Sequence, residues 1–251
     1  MDAHRRRGAA GPRGPRPGRS RATTMSTTFE LDPARPDAWS EGIVAAAGAL
    51  ESGGLVVLPT ETVYGIACRP DLSEATGRLF AAKQRPGTLN LPILAATTDA
   101  AWLVGERSRE ALALAERFWP GPLTLVLQRT ERSRPWQLGE LADSVGVRVP
   151  SHAIATALLE RTGPLAMTSA NLSGQPPRSD RTLLEATFVD TVAVILVLPA
   201  GAPPPTGASS TVVDLTSFAA RLLREGPIGR DRLAEALPSH GHLITGEPPT
   251  A

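Results

Sequence analysis

Five polar clusters interrupt an otherwise apolar, proline-rich chain of 251 residues: 60–62 (Thr-Glu-Thr), 83–85 (Lys-Gln-Arg), Ser144 with Arg148, 169–173 (Ser-Ala-Asn-Leu-Ser) and 209–211 (Ser-Ser-Thr). Lys83 is the only lysine; the other 25 of the 26 basic side chains are arginine. A compact, mobile ammonium does what a planar guanidinium fork cannot at a crowded anion, so a retained lysine suggests such a site. The plain alternative is a solvated cation at a helix C-terminus, favoured by the macrodipole. Arg148 makes the stronger case. An arginine inside a half-apolar strand needs an anionic partner to offset its desolvation, and its fork fits a carboxylate bidentately. Lys83, Arg85 and Arg224 are suited to phosphate oxygens.

The chemistry that is missing narrows the class. The chain has neither a GxxxxGK[ST] loop nor a GxGxxG after a strand, so neither a P-loop nor a dinucleotide fold is signalled. No histidine falls in these clusters, which leaves a serine nucleophile without a base. One cysteine, Cys68, excludes an intramolecular disulfide framework and a cysteine zinc site, and four scattered histidines show no metal-ligand spacing. Tyr64 and Cys68 lie in an apolar run and read as core. What is left serves positioning and charge neutralisation, the means by which phosphoryl and nucleotidyl transfer are usually catalysed.

The elements that would hold these clusters alternate in type. Residues 37–52 show helical spacing, stopped by Gly53-Gly54. Residues 55–58 form a short buried strand that Pro59 closes, the 60–62 turn follows, and 63–68 form a second strand. A helix capped by Ser73 runs to about residue 85 and ends at Pro86; a helix capped by Ser108 ends at 120–122 (Pro-Gly-Pro). Further strands are expected at 91–95, 123–127, 144–149, 165–167, 192–198, 211–215 and 221–225, with helices at 152–161 and 231–237 and a loop at 129–143. This order predicts an α/β domain with a twisted mixed sheet and flanking helices. Polar clusters at strand ends can then converge on one site.

Residues 1–24 carry seven Arg and one Asp with almost nothing to bury, and are expected to be a disordered extension. The net charge of +1 therefore hides a mildly acidic body, which argues against a dedicated nucleic-acid surface. The folded domain is expected over 30–237, with a flexible tail over 238–251. No apolar run reaches the roughly 18 residues that span a membrane, and the N-terminus lacks an apolar signal core. A cytoplasmic protein is expected.

With these residues in hand, the chain resembles the YrdC/Sua5 family, the threonylcarbamoyl-AMP synthases. The resemblance rests on PTETVYGIAC from Pro59, KQRP from Lys83, WPGPLTLVL from Trp119, VGVRVP from Val145, TSANLSG from Thr168, SSTVVDL from Ser209 and LREG around Arg224, in family order over residues 38–226. It implies a YrdC-like domain with a concave basic cavity. It also implies a nucleotidyltransferase reaction: L-threonine, bicarbonate and ATP, with Mg2+, give L-threonylcarbamoyl-AMP and pyrophosphate. A transferase protein complex then carries the group to adenosine 37 of tRNA, which meets this enzyme at most indirectly or weakly. By resemblance, Thr62, Arg148, Ser169 and Ser210 would bind L-threonine. Lys83, Arg85, Ser144, Asn171, Ser179 and Arg224 would bind ATP, Lys83 and Arg85 being catalytic, with no metal ligand in the protein. The stretch LNLPIL departs from the family pattern, placing Leu89 and Leu94 where many members have Asn and His, with Asn90 the candidate substitute. Two other readings are a carbamoyltransferase of the same fold and a noncatalytic module binding double-stranded RNA.

Overall fold

The computed structural model describes residues 26–84, 90–171, 181–238 and 242–245. In chain order they form β1 (Thr27–Glu30), a 3-10 turn (Pro36–Ala38), α1 (Ser40–Glu51), β2 (Val56–Pro59), β3 (Tyr64–Cys68), α2 (Ser73–Lys83), β4 (Ile93–Leu94), α3 (Thr98–Trp102) and α4 (Arg109–Phe118). Then come β5 (Leu123–Gln128), β6 (Ser144–Arg148), α5 (Ala153–Thr162), β7 (Leu165–Ser169), α6 (Arg181–Phe188), β8 (Val194–Val197), β9 (Thr211–Asp214), β10 (Ala220–Arg224), α7 (Arg230–Ala236) and β11 (Leu243–Thr245). The expected extension at 1–24, Arg85, Leu89 and Ser179 lie outside the described residues.

The strands join into one sheet in the order β1-β8-β2-β3-β7-β4-β6-β5-β9-β10-β11. Its centre is antiparallel, through β2 with β3, β3 with β7, β7 with β4 and β6 with β5, while β2 with β8, β4 with β6 and β5 with β9 are parallel. The expected mixed sheet with flanking helices is thus present. Strands β2, β3 and β8 are buried at every position, which explains their continuous Val, Leu, Ile and Ala runs. Helix α1 turns Ile43, Ala46, Ala47 and Leu50 inward, and it packs on α5 and β8. Small residues on that face allow close approach.

Several local expectations shift. Pro59 ends the β2 ladder as expected, from inside the strand, pairing with Tyr64 as its last rung. Ser73 is the first residue of α2 rather than its cap; Leu72 holds the cap position, with no side-chain bond to the helix. Helix α2 stops at Lys83, where Gln84 turns left-handed, φ 50° and ψ 38°; Pro86, expected to close it, lies outside the described residues. Ser108 caps α4 as expected, its Oγ accepting from Ala111 N at 3.0 Å. Strand β11 lies within the stretch expected as a tail and pairs in parallel with β10. Strand β1 begins ahead of residue 30 and pairs with β8 at the sheet edge.

Candidate active site

The β2–β3 hairpin turns through Thr60, Glu61, Thr62 and Val63. Thr60 Oγ1 donates its single hydrogen to Val63 O at 2.6 Å, so the 3.0 Å contact between the two threonine hydroxyls runs from Thr62 to Thr60. Thr62 Oγ1 is left as an acceptor, and Arg148 Nη1 donates to it at 2.9 Å. Both threonines are fully buried. The loop after β8 closes over this turn from outside, with Thr206 N donating to Glu61 O at 3.1 Å and Gly207 N to Thr62 O at 2.8 Å.

Arg148 is the last residue of β6 and only 5% exposed. The Trp119-Pro120-Gly121-Pro122 turn, with a cis Trp119-Pro120 bond, sets its direction. Gly121 N donates to Val149 O at 2.8 Å, Gly121 O accepts from Arg148 Nε at 3.1 Å, and Trp119 Nε1 holds Leu123 O at 2.7 Å. The guanidinium has an anionic partner inside the protein: Nη2 is 2.7 Å from Glu61 Oε1. That pair is Coulombic rather than a formed hydrogen bond, because the oxygen lies away from the N–H directions. Among the described residues, Arg148 Nη2 and both Glu61 carboxylate oxygens are buried without a hydrogen-bond partner.

Ser210, just ahead of β9, completes this cluster. Its Oγ is 2.9 Å from Thr124 Oγ1 on β5 and accepts from Arg224 Nη2 at 3.2 Å, while Arg224 Nε donates to Ser210 O at 2.9 Å. Burial lowers the Arg224 pKa from its usual value, and the neighbouring Arg148 charge lowers it further. Two guanidiniums close enough to repel each other favour an anion between or beside them. Gly226 makes the approach of β10 to β9 possible, since a Cβ there would lie 2.4 Å from Ser209 O and 2.6 Å from Thr211 N.

Lys83 belongs to a second cluster. It is 2% exposed, not a solvated helix end. Its Nζ donates to Ser169 O at 2.6 Å, to Asn171 Oδ1 at 2.8 Å and to Asn171 O. Ser169 Oγ also donates to Asn171 Oδ1. Ser144 falls in the same row of the sheet as Ser169 by strand register, about 10 Å away across β4. The two clusters meet at the hairpin: Tyr64 O, two residues past Thr62, accepts from Ala170 N at 2.7 Å.

Ser144 is positioned from behind. Arg129, 3% exposed, donates to the carbonyls of Ser144 (2.9 Å), Trp136 (2.8 Å) and Leu141 (3.2 Å), pinning the loop at 129–143. Burial depresses its pKa, which the nearby Asp143 partly offsets. Asn90 pins the same loop from the other side of the chain. Its amide donates to Leu141 O at 2.7 Å and Ser144 O at 3.1 Å and accepts from Leu141 N at 3.1 Å. This engagement argues against Asn90 as a ligand contact. Leu94 is buried in β4.

Tyr64 and Cys68 are core, as expected. The Tyr64 hydroxyl accepts from Leu198 N at 3.0 Å, and burial raises its pKa. Burial also pushes the Cys68 thiol up to about 12, which removes it as a nucleophile. His152 sits just ahead of α5, its Nδ1 buried without a partner among the described residues. Burial lowers its pKa, against a smaller opposing effect of Glu61.

Of the residues singled out in the sequence, the structure therefore links Thr62, Arg148, Ser210 and Arg224 in one group and Lys83, Ser169 and Asn171 in another, with Ser144 in the same row as the second. Arg224, expected with the nucleotide residues, bonds instead to Ser210. Glu61, Thr124, Arg129 and His152 were not singled out. Glu61 had a visible signal, a charge between two threonines in a turn bounded by buried strands; the other three depend on distant partners. Among the described residues, no group of three His, Cys, Asp or Glu is arranged to hold a metal, and no helix is long and apolar enough to cross a membrane.

A twisted mixed sheet with two adjoining cation-and-hydroxyl clusters at its hairpin defines a YrdC-like α/β domain. The chain belongs to the Sua5/YciO/YrdC family, whose model, described as telomere recombination, matches residues 48–226. A Mycobacterium tuberculosis protein named provisionally as a threonylcarbamoyl-AMP synthase is 41% identical over 214 residues, 85% of this chain and 96% of that one. The threonylcarbamoyl-AMP synthase of Pyrococcus abyssi is 39% identical over 194 residues, 76% of this chain and 56% of its own length. Among solved structures, P. abyssi Sua5 complexed with L-threonine superimposes with a TM-score of 0.71 at 32% identity, covering 88% of this chain and 62% of that one. E. coli YciO does so with a TM-score of 0.75 at 27% identity, over 83% of this chain and all of that one.

Proposed function

We propose that this protein is a nucleotidyltransferase that makes L-threonylcarbamoyl-AMP from L-threonine, bicarbonate and ATP, releasing pyrophosphate, in the first step of tRNA t6A37 modification. The observation that carries the reading is the Thr62–Arg148–Ser210–Arg224 cluster, two guanidiniums and two hydroxyls gathered in a chain 32% identical to a threonine-bound Sua5. Arg148 takes the substrate carboxylate, with Thr62 and Ser210 beside it. Lys83, Ser144 and Asn171 face the nucleotide, Ser169, expected at the threonine, lies beside them bonded to Asn171, and Arg224 sits where the two substrates meet; Arg85 and Ser179, proposed for the nucleotide as well, lie outside the described residues.

The chemistry needs no covalent enzyme intermediate. The substrate amine adds to bicarbonate, losing water, to give a carbamate. A carbamate oxygen then attacks the α-phosphorus of ATP in line with departing pyrophosphate. Magnesium arrives with ATP as part of that substrate. The protein's share is to hold the carbamate and the triphosphate in reach, and to neutralise charge with preorganised cations. The product passes to a partner transferase complex in the cytoplasm, tRNA being met there rather than on this chain.

The test is pyrophosphate release from ATP and bicarbonate with and without L-threonine. Release that depends on threonine supports the reading. A purified, folded protein that releases none in its presence overturns it.

A further inference from the structure

Three polar atoms without hydrogen bonds among the described residues lie together beside the hairpin turn. Arg148 Nη2 offers two hydrogens, and Glu61 Oε1 and Oε2 offer lone pairs, yet none forms a hydrogen bond among the described residues although Nη2 and Oε1 are 2.7 Å apart. Leaving such groups unmade inside a protein is costly enough that each one asks for a reason. A counterion that served only to neutralise Arg148 would gain from aligning with its N–H bonds. The Glu61 backbone is held, its carbonyl accepting from Thr206 N at 3.1 Å. The side chain is instead presented beside the guanidinium and off its axis.

An α-amino acid head supplies what these atoms lack. Its carboxylate accepts hydrogens, its ammonium donates three, and the two charges are only one carbon apart, which matches a cation and an anion held side by side. Given an amino acid in this pocket, as proposed above, we infer that Glu61 binds the substrate α-ammonium while Arg148 binds the α-carboxylate. The single acidic residue of the turn then holds the nitrogen that, after losing one proton to water, attacks bicarbonate, and it discriminates against carboxylic acids that lack an amine.

The test compares L-threonine with 3-hydroxybutyrate, which has the carboxylate and the hydroxyl but no amine, by titration calorimetry on the full chain. Glu61→Gln is expected to weaken L-threonine about 10- to 100-fold, the range for loss of a charge-assisted hydrogen bond, and to leave 3-hydroxybutyrate within about twofold. Glu61→Asp is expected to restore most of the preference. Equal losses for both ligands would mean that Glu61 only holds Arg148, and would overturn the assignment. The wild-type protein gives a second measurement that needs no variant to fold. Its affinity for L-threonine should fall as the free amine loses its proton at alkaline pH, while that for 3-hydroxybutyrate stays level. A threonine affinity that holds or rises there also overturns the assignment. A wild-type protein that binds neither ligand overturns the threonine reading as well, which separates the two failures.

Discussion

Replacing Lys83 by arginine keeps the charge and removes the geometry. In the native protein one nitrogen, 2% exposed, is met by Ser169 O, Asn171 O and Asn171 Oδ1, two of them backbone carbonyls that cannot turn away. Guanidinium nitrogens lie spread in a plane and cannot all point at oxygens gathered about a single centre. At least one buried acceptor is left unmatched, at about 1–3 kcal/mol, and the larger head overpacks a closed site for about 1–3 kcal/mol more. The terms share atoms, so the expected loss is about 3 kcal/mol, or roughly 6–12 °C in Tm for a chain of this size. Lys83→Met, which keeps the stem and leaves three buried acceptors without a donor, should cost about 3–5 kcal/mol. Denaturant midpoints measure both, and threonine-dependent pyrophosphate release should be lost in each because the Ser169–Asn171 turn no longer holds its shape. A Lys83→Arg protein within about 0.5 kcal/mol of wild type, with normal turnover, would refute the requirement for a compact ammonium.

Gly226→Ala places a methyl group against the backbone of Ser209 and Thr211, with contacts of 2.4 and 2.6 Å, and backbone cannot yield as a flexible side chain does. A loss of about 2–3 kcal/mol is expected, with the threonine KM raised more than kcat is lowered, because Ser210 is displaced. His152 predicts a pH dependence. Its folded pKa lies below the ordinary 6.5 because of burial, so the unfolded chain takes up the proton first as pH falls. The stability it contributes is fully present above about 6.5 and is lost as pH falls through the lower folded value. Denaturant midpoints at pH 7.5 and 5 should differ more for wild type than for His152→Asn; equal differences would remove His152 as the cause.

Much of the interior was legible in the amino-acid order because burial and periodicity are local properties. The continuous apolar runs of β2, β3 and β8, the Ser108 cap and the Gly53 stop each carry their reason within a few residues. Helix α6 was not anticipated although Leu184 and Phe188 fall at i, i+4 spacing; three other unanticipated elements lack such a signal. β1 (Thr-Thr-Phe-Glu) is an edge strand with two exposed positions, α3 is a five-residue helix, and β11 is three residues long. Their existence depends on partners elsewhere: β8 for the first, β10 for the last.

The site divides in the same way. That Arg148 must have a buried anionic partner follows from its place in a half-apolar strand, and sequence alone assigns that need. The identity of the partner does not follow, because Glu61 is distant in the chain. Strand register even argues against the contact. Arg148 shares the row of Leu165 through Leu94, whereas the hairpin end at Gly65 shares the row of Ser169, about 13 Å along the strands. A flat sheet would keep Thr62 and Arg148 apart, yet they are hydrogen-bonded at 2.9 Å. The right-handed twist accumulated across four strands lets the hairpin end lean over the face and meet the guanidinium. Residue type set the need for a charge partner, and sheet twist, a property of the assembled strands, chose which residue meets it.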